Sequence, residues 1–167
     1  MKREPFEMPG EVRQNWAPTP AGGTFQTVTY NLLRIMAGLD FMQHGAQKLL
    51  GAFGGMGPAH GTVPLISQFG LAGVIELVGG ALLVIGLLTR PVAFIASGEM
   101  AVAFFQAHFP NGFFPILNQG ESAVLFCFVF LYFAVAGGGV WSVDAYRHRA
   151  AAGHPFPRAT GRRLSST

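Results

Sequence analysis

The chain is poor in charge: 11% of its 167 residues are Asp, Glu, Lys or Arg, against about 25% in soluble globular domains. It has one cysteine, Cys127, set inside an apolar run. A lone thiol excludes an intrachain disulfide, and it excludes an iron–sulfur or multi-cysteine metal site built by this chain alone. No spacing of His, Cys, Asp and Glu matches zinc or a dinuclear centre. No basic groove interleaved with aromatics is present, which leaves nucleic acid out as a partner. Internal repeats are missing too: "SGEMAV" and "GESAVL" share a Gly-Glu pair and little else.

In place of charge the chain carries hydrocarbon. Half of its residues are hydrophobic, and 16 Phe and 23 Gly are among its 167 residues, a composition that points to a membrane protein. Three windows, residues 65–89, 91–109 and 121–141, each approach the ~20 residues that cross a ~30 Å hydrocarbon core. A fourth, residues 27–50, holds more polar groups but is long enough, and the Gly-rich "GAFGGMGPAHG" closes it. The expectation is an all-α, integral membrane four-helix bundle over residues 27–145. A Pro-rich tail (1–26) precedes it and a basic tail (146–167) follows. In Thr89-Arg90-Pro91 the proline suits a first helical turn, so helices two and three are expected to form a hairpin.

Basic residues set the expected orientation. Lys2, Arg3, Arg13, Arg90, Arg147, Arg149, Arg158, Arg162 and Arg163 fall on the side of both tails, and only Lys48 lies opposite. The positive-inside rule then predicts that both termini are cytoplasmic. The first 23 residues hold four prolines and no apolar core, which argues against a cleavable signal peptide and makes the first helix its own anchor.

That first helix contains the sharpest local conflict. "LLRIMAGLDFMQHGAQKLLG" (32–51) is apolar enough to enter a membrane yet carries Arg34, Asp40, Gln43, His44, Gln47 and Lys48. On a helical wheel Asp40, His44, Gln47 and Lys48 share an arc about 100° wide, with Arg34 about 40° beyond its edge. An unpaired charge at the midplane costs roughly 3 kcal/mol or more, so this stripe is expected to face other helices or a wet cavity. Glu76 and Glu99 stand mid-helix in the second and third windows, and with Asp40 they come out at roughly 12 to 18 Å depth at ~1.5 Å per residue. The expected arrangement is a buried polar centre with Arg34 as its main fixed cation, continued outward by His44 and Lys48.

Two readings of Arg34, Asp40, His44, Lys48, Glu76 and Glu99 follow. One is a structural ion-pair network that fixes helix orientation. The other is a proton path or a headgroup site, in which His44 or Lys48 donates to a quinone carbonyl and a carboxylate exchanges a proton. Haem held by His44 and His108 is disfavoured, because the two match only loosely in depth. His60, His148 and His154 fall in loop or tail. Gly70, Gly73, Gly79, Gly80 and Gly86 in the second window read as close helix packing. The run Phe126, Phe128, Phe130, Tyr132 and Phe133 reads as lipid or partner contact. "HFPNGFFPILNQGE" (108–121) is too aromatic for an ordinary loop and suits the headgroup region, a fold over the bundle, or a partner.

An ordered set of residues then resembles a known family. Arg34, Gly38, Phe41, His44-Gly45, Lys48 and Gly51, then Glu76 with Gly79-Gly80, "GLLTRP" (86–91), "HFPNGFFPILNQGE" and "GGGVWSVD" (137–144) are similar to the DoxX family of small four-helix membrane proteins. The likeness spans about residues 30–145. It implies a protein of the bacterial or archaeal cytoplasmic membrane, and some members are linked to membrane oxidoreductase systems, including relatives of thiosulfate:quinone oxidoreductase. Nothing here supplies a thiosulfate site, and the N-terminal tail is outside the shared pattern. With one cysteine, redox chemistry would need a partner. The expected partners are membrane lipid and other membrane-protein subunits or a second copy of the chain. The leading expectation is a membrane subunit of an oxidoreductase system that contacts quinone or protons. A non-catalytic accessory subunit of a respiratory or photosynthetic complex is the alternative, and a transporter is weaker because four spans rarely enclose a path alone.

Overall fold

The computed structural model describes residues 23–56 and 60–151, and among these all regular structure is helical. Helix α1 (Thr24–Leu50) ends at Gly51, whose φ of +68° turns the chain out of the helix. A glycine tolerates that left-handed conformation without strain. Helix α2 (Gln68–Ile85) starts at Ser67, whose Oγ accepts the Gly70 N–H at 3.0 Å, an ordinary N-cap. Helix α3 (Thr89–Ala103) runs on as a π turn (Phe104–His108) and a 3-10 turn (Phe109–Asn111). The short α4 (Pro115–Asn118) leads into α5 (Glu121–Ala136), and α6 (Val143–Ala151) follows.

α1 packs along α2 and α3 along α5, and α2–α3 contacts join the two pairs. One core results, built from Phe41 of α1, Leu83 of α2, Ala93, Ala96 and Met100 of α3, and Ala123, Phe126, Phe130 and Phe133 of α5. The Phe41 and Phe130 rings meet edge to face at 4.7 Å, and Phe126 stacks on Phe130 at 5.3 Å. The α5 aromatic run therefore divides by helical phase: Phe126, Phe130 and Phe133 are buried, whereas Phe128 and Tyr132 are exposed.

Glycines set the distance between α1 and α2. Gly38 and Gly45 are buried on α1, and Gly73 and Gly80 on α2. A Cβ at Gly45 would collide with the Leu77 backbone nitrogen and stand 2.8 Å from the Gly73 carbonyl oxygen, while one at Gly80 would stand 2.6 Å from Met42 Cγ. The backbones approach as closely as a missing side chain allows, the way small residues pack helices in membranes.

The distribution of polarity is inverted relative to a soluble domain. Large apolar side chains cover the outside: Leu32, Leu33 and Met36 on α1, Leu71 and Val78 on α2, Phe94 and Ile95 on α3, and Leu125 and Phe128 on α5 are all exposed. Arg34, Asn31, Glu76, Thr89 and Ser97 are buried. Exposed apolar area on this scale needs lipid or a partner to cover it. α2 and the helical stretch Thr89–Asn111 are long and apolar enough to cross a membrane, and α5 is apolar but shorter.

Three expectations change at the helix ends. The third helix does not reach residue 109 as uniform α-helix, because it widens into the π turn at Phe104. The fourth stops at Ala136 rather than 141: Gly137 takes a φ of +88° and the chain folds back. The basic tail expected from residue 146 begins within a helix, since α6 (Val143–Ala151) crosses that boundary and docks on the α2–α3 turn. The expectations for residues 1–22 and 152–167 lie outside the described residues.

α6 is held through Asp144. Its carboxylate accepts the Leu88 N–H at 2.9 Å and the Thr89 N–H at 2.8 Å, and its own N–H donates to Gly86 O at 3.0 Å. Leu88 sits in the left-handed region at φ +51°, so the turn needs this external anchor at the open end of α3. "GLLTRP" and "GGGVWSVD" are thus two halves of one joint. Partial burial would push the Asp144 carboxyl up, but the hydrogen bonds from Thr89 and Leu88 hold it below the usual carboxylate range. A depressed acid stabilises the fold above its unfolded pKa of about 3.9 and loses that contribution as pH falls further.

Two outcomes test this architecture. Asp144→Asn is expected to lower stability by about 0.5–2 kcal/mol, the usual range for a lost cap, and to flatten the acid limb of a melting-temperature profile in detergent below pH ~4. Gly45→Ala is expected to cost at least the ~1–3 kcal/mol of an overpacked core. Gly98→Ala, where a Cβ meets nothing within 4 Å, is the matched control and melts near wild type.

Candidate functional site

The close approach of α1 and α2 brings a lysine to a glutamate. A Cβ on Gly73 would lie 3.1 Å from Lys48 Cβ, and from that position Lys48 Nζ reaches both Glu76 oxygens at 2.7 Å. The side chains are 11% and 2% exposed, so the pair sits inside the helices. Two short bonds to one carboxylate are the strong form of this interaction, and they offset the desolvation that a buried charge incurs. An ammonium has three N–H donors, so Lys48 keeps one for another acceptor.

Beside the pair lies a cavity of about 590 Å³. Ile75, Ile95, Met100 and Phe126 supply apolar wall, and His44, Gln47, Lys48, Glu76, Glu99 and His108 supply polar groups. Glu99 is half-buried, and its Oε2 is buried with no hydrogen-bond partner. One oxygen of a carboxyl is therefore free in a mainly apolar wall, next to a carboxylate whose charge Lys48 already answers. Gly98 also faces this space, with nothing within 4 Å of where its Cβ would be.

The π turn builds one side of the cavity. Widening the helix at Phe104–His108 carries Gln106, Ala107 and His108 onto the wall; such turns are frequent at functional sites. His108 Nδ1 is 3.1 Å from the Asn118 carbonyl oxygen, so that nitrogen carries the proton and donates. His44 is exposed, and its ring stands edge-on to Phe126 at 6.3 Å. The two histidines share a cavity but have separate partners. Among the described residues, no group of three or more His, Cys, Asp or Glu is placed to hold a metal.

The expected polar centre is redrawn in two places. Asp40 is exposed on the outer surface of α1 and does not line the cavity. Wheel angle does not separate Asp40 from His44 and Gln47, between which it falls; it stands one helical turn short of His44, about 6 Å along the axis, where the cavity does not extend. Arg34 is fully buried, but it serves backbone rather than carboxylates: Nη1 donates to Leu83 O and to Val84 O (2.8 Å), and Nη2 donates to Trp141 O at 2.7 Å. A cation on the last carbonyls of α2 suits the negative end of the helix dipole. Lys48, not Arg34, is the cation of the site.

Arg34 instead anchors the opposite end. Tyr30 donates its hydroxyl to Gly137 O, Asn31 Oδ1 accepts the Trp141 N–H at 3.0 Å, and Arg90 Nη1 donates to Val135 O at 2.6 Å. These bonds tie residues 137–141 to α1 and the end of α5 to the start of α3. Gly98, Gln106 and the π turn lay beyond sequence reasoning, since a π turn leaves no mark on hydrophobic period.

Residues 30–109 match the DoxX family. An uncharacterized protein of Haemophilus influenzae is 44% identical over 117 residues, which cover 67% of this chain and 85% of that protein. No solved structure matches the chain.

Breaking the buried pair gives a direct test of its role. Lys48→Met strands Glu76 and is expected to destabilise the protein by about 3–5 kcal/mol, while the double replacement Lys48→Met with Glu76→Met recovers most of the loss. Chemical unfolding of the detergent-solubilised protein reads both, and equal losses in the single and double variants would contradict a compensated pair.

Proposed function

The chain belongs to the DoxX family of small membrane proteins, and on that premise we propose that its cavity receives the headgroup of a membrane quinone for an oxidoreductase system. The protein is then a multi-pass subunit of the bacterial cytoplasmic membrane, with the Arg90 turn and α6 on the cytoplasmic side. Arg90, Arg147 and Arg149 at that end, and Lys48 toward the other, support this orientation under the positive-inside rule.

The observation that carries the reading is Glu99, which lines an apolar cavity beside Lys48 and Glu76 and whose buried Oε2 has no hydrogen-bond partner. A quinone supplies an apolar ring, carbonyl oxygens that accept hydrogen bonds and, once reduced, hydroxyls that donate them. The third N–H of Lys48 suits a carbonyl. Glu99 suits a hydroxyl and can exchange a proton with it. The volume lies within the range of about 300–1,000 Å³ usual for small-molecule sites. Electrons would come from a redox-active partner subunit, and this chain would position the ring and handle protons.

Quinone retention tests the reading. The full chain, purified in mild detergent and extracted with organic solvent, is expected to yield quinone near one equivalent per protein. Glu99→Gln and Gly98→Leu, the latter placing a side chain in open space, are expected to lose most of it while melting close to wild type. Undiminished quinone in both variants would refute the site. Purification with a larger complex and no quinone would favour an accessory role instead.

A further inference from the structure

Residues 104–119, between α3 and α5, face outward with an apolar surface. They contain no Asp, Glu, Lys or Arg. Phe105, Phe113, Phe114, Ile116 and Leu117 are 60–75% exposed, and Phe109 is 41% exposed. Their rings touch in series: Phe105–Phe109 at 5.8 Å, Phe109–Phe113 at 6.2 Å and Phe113–Phe114 at 5.4 Å. The series is a rigid aromatic ridge rather than a set of independent side chains, because edge-to-face neighbours hold one another's rotamers.

Many of the segment's polar groups bond within it, while Gln106 and Gln119 keep exposed side chains that suit the headgroup level. Asn111 Nδ2 donates to Ala107 O at 3.1 Å, Asn118 Nδ2 donates to Gly112 O at 2.6 Å, and Asn118 Oδ1 accepts the Gly120 N–H at 2.8 Å. His108 Nδ1 donates to Asn118 O. The backbone N–H groups of Gly112, Leu117 and Asn118 reach carbonyls within the same segment, and Pro110 and Pro115 have no N–H to satisfy. A loop in water gains little from such closure, since water satisfies its groups. A loop in lipid requires it, because hydrocarbon offers no partner and each open polar group costs several kcal/mol.

We infer that residues 104–119 form a wedge seated in the bilayer, at the end of the bundle opposite Arg90, rather than a loop in water. The helices on either side of the segment are also apolar outside, with Phe94 and Val102 of α3 and Leu125 and Phe128 of α5 exposed. Uncharged polar and aromatic residues at such a level match the composition of the membrane interface. The inference stands apart from the cavity's ligand, as it uses none of the groups assigned to quinone except the inward bond of His108.

The test places a single thiol on the wedge. In a Cys127→Ser background, Phe113→Cys and Leu117→Cys are labelled with bimane, and the full chain is reconstituted into phosphatidylcholine vesicles with or without brominated acyl chains. Both side chains are mostly exposed; Leu117→Cys leaves the ring series whole, so it carries the result if Phe113→Cys disturbs its neighbours, and Ala151→Cys on α6 reports the solvent case. The expected result is loss of emission at 113 and 117 with brominated lipid and little loss with aqueous iodide, reversed at 151. Iodide quenching at 113 and 117 would overturn the inference in favour of a water-exposed loop. Protection from both quenchers would overturn it in favour of a protein contact, including a second copy of the chain.

Discussion

The structure depends on the cost of placing charge among apolar helices. Lys48 and Glu76 meet that cost jointly, through two bonds of 2.7 Å across the α1–α2 interface. The geometry is possible because Gly45 and Gly73 let the backbones nearly touch one turn away. Tight glycine packing and a buried ion pair are usually discussed as separate devices. In this protein the first sets the distance over which the second must reach, so they form a single constraint on how α1 lies against α2.

A second polar centre holds the other end of the molecule, and its chemistry differs. Arg34, Tyr30, Asn31, Arg90 and Asp144 act on backbone groups, tying the α2–α3 turn to residues 137–144. Every bond there completes a helix end or a turn, which is structural work. The Lys48–Glu76 end is unlike it in facing a cavity, which Glu99 lines and beside which its Oε2 is buried without a hydrogen-bond partner. One chain thus separates a fold-defining polar cluster, in which Arg34 Nε is itself buried without a partner, from one that lines a cavity, and the second is where a ligand can be received.

The helices were largely legible because composition and hydropathy act locally. A span containing "GVIELVGGALLVIG" can satisfy its backbone in hydrocarbon as a helix without a distant partner, and the turn at Thr89-Arg90-Pro91 is likewise recognised locally. Lys48, His44, Gln47, Glu76 and Glu99 could be gathered from wheel angle and depth, and they do line one cavity. Asp40 and Arg34 could not be sorted the same way. A wheel gives the direction of a side chain but not what waits there: α1 turns Asp40 outward, while Arg34 finds the free carbonyls at the end of α2.

Residue order alone dictates an all-helical chain, the apolar exterior expected of a membrane protein, its kinship with DoxX, and the glycines that make close packing possible. Each is a property of composition, or of residues a few positions apart. Tertiary packing chose Lys48 over Arg34 as the partner of Glu76, opened the cavity at Gly98 and widened α3 into a π turn. It also docked Asp144 on a turn 55 residues away. These outcomes depend on distances between helices, which many nearly equivalent faces could have satisfied, and charge pairing with steric fit selects among them only once the helices are together.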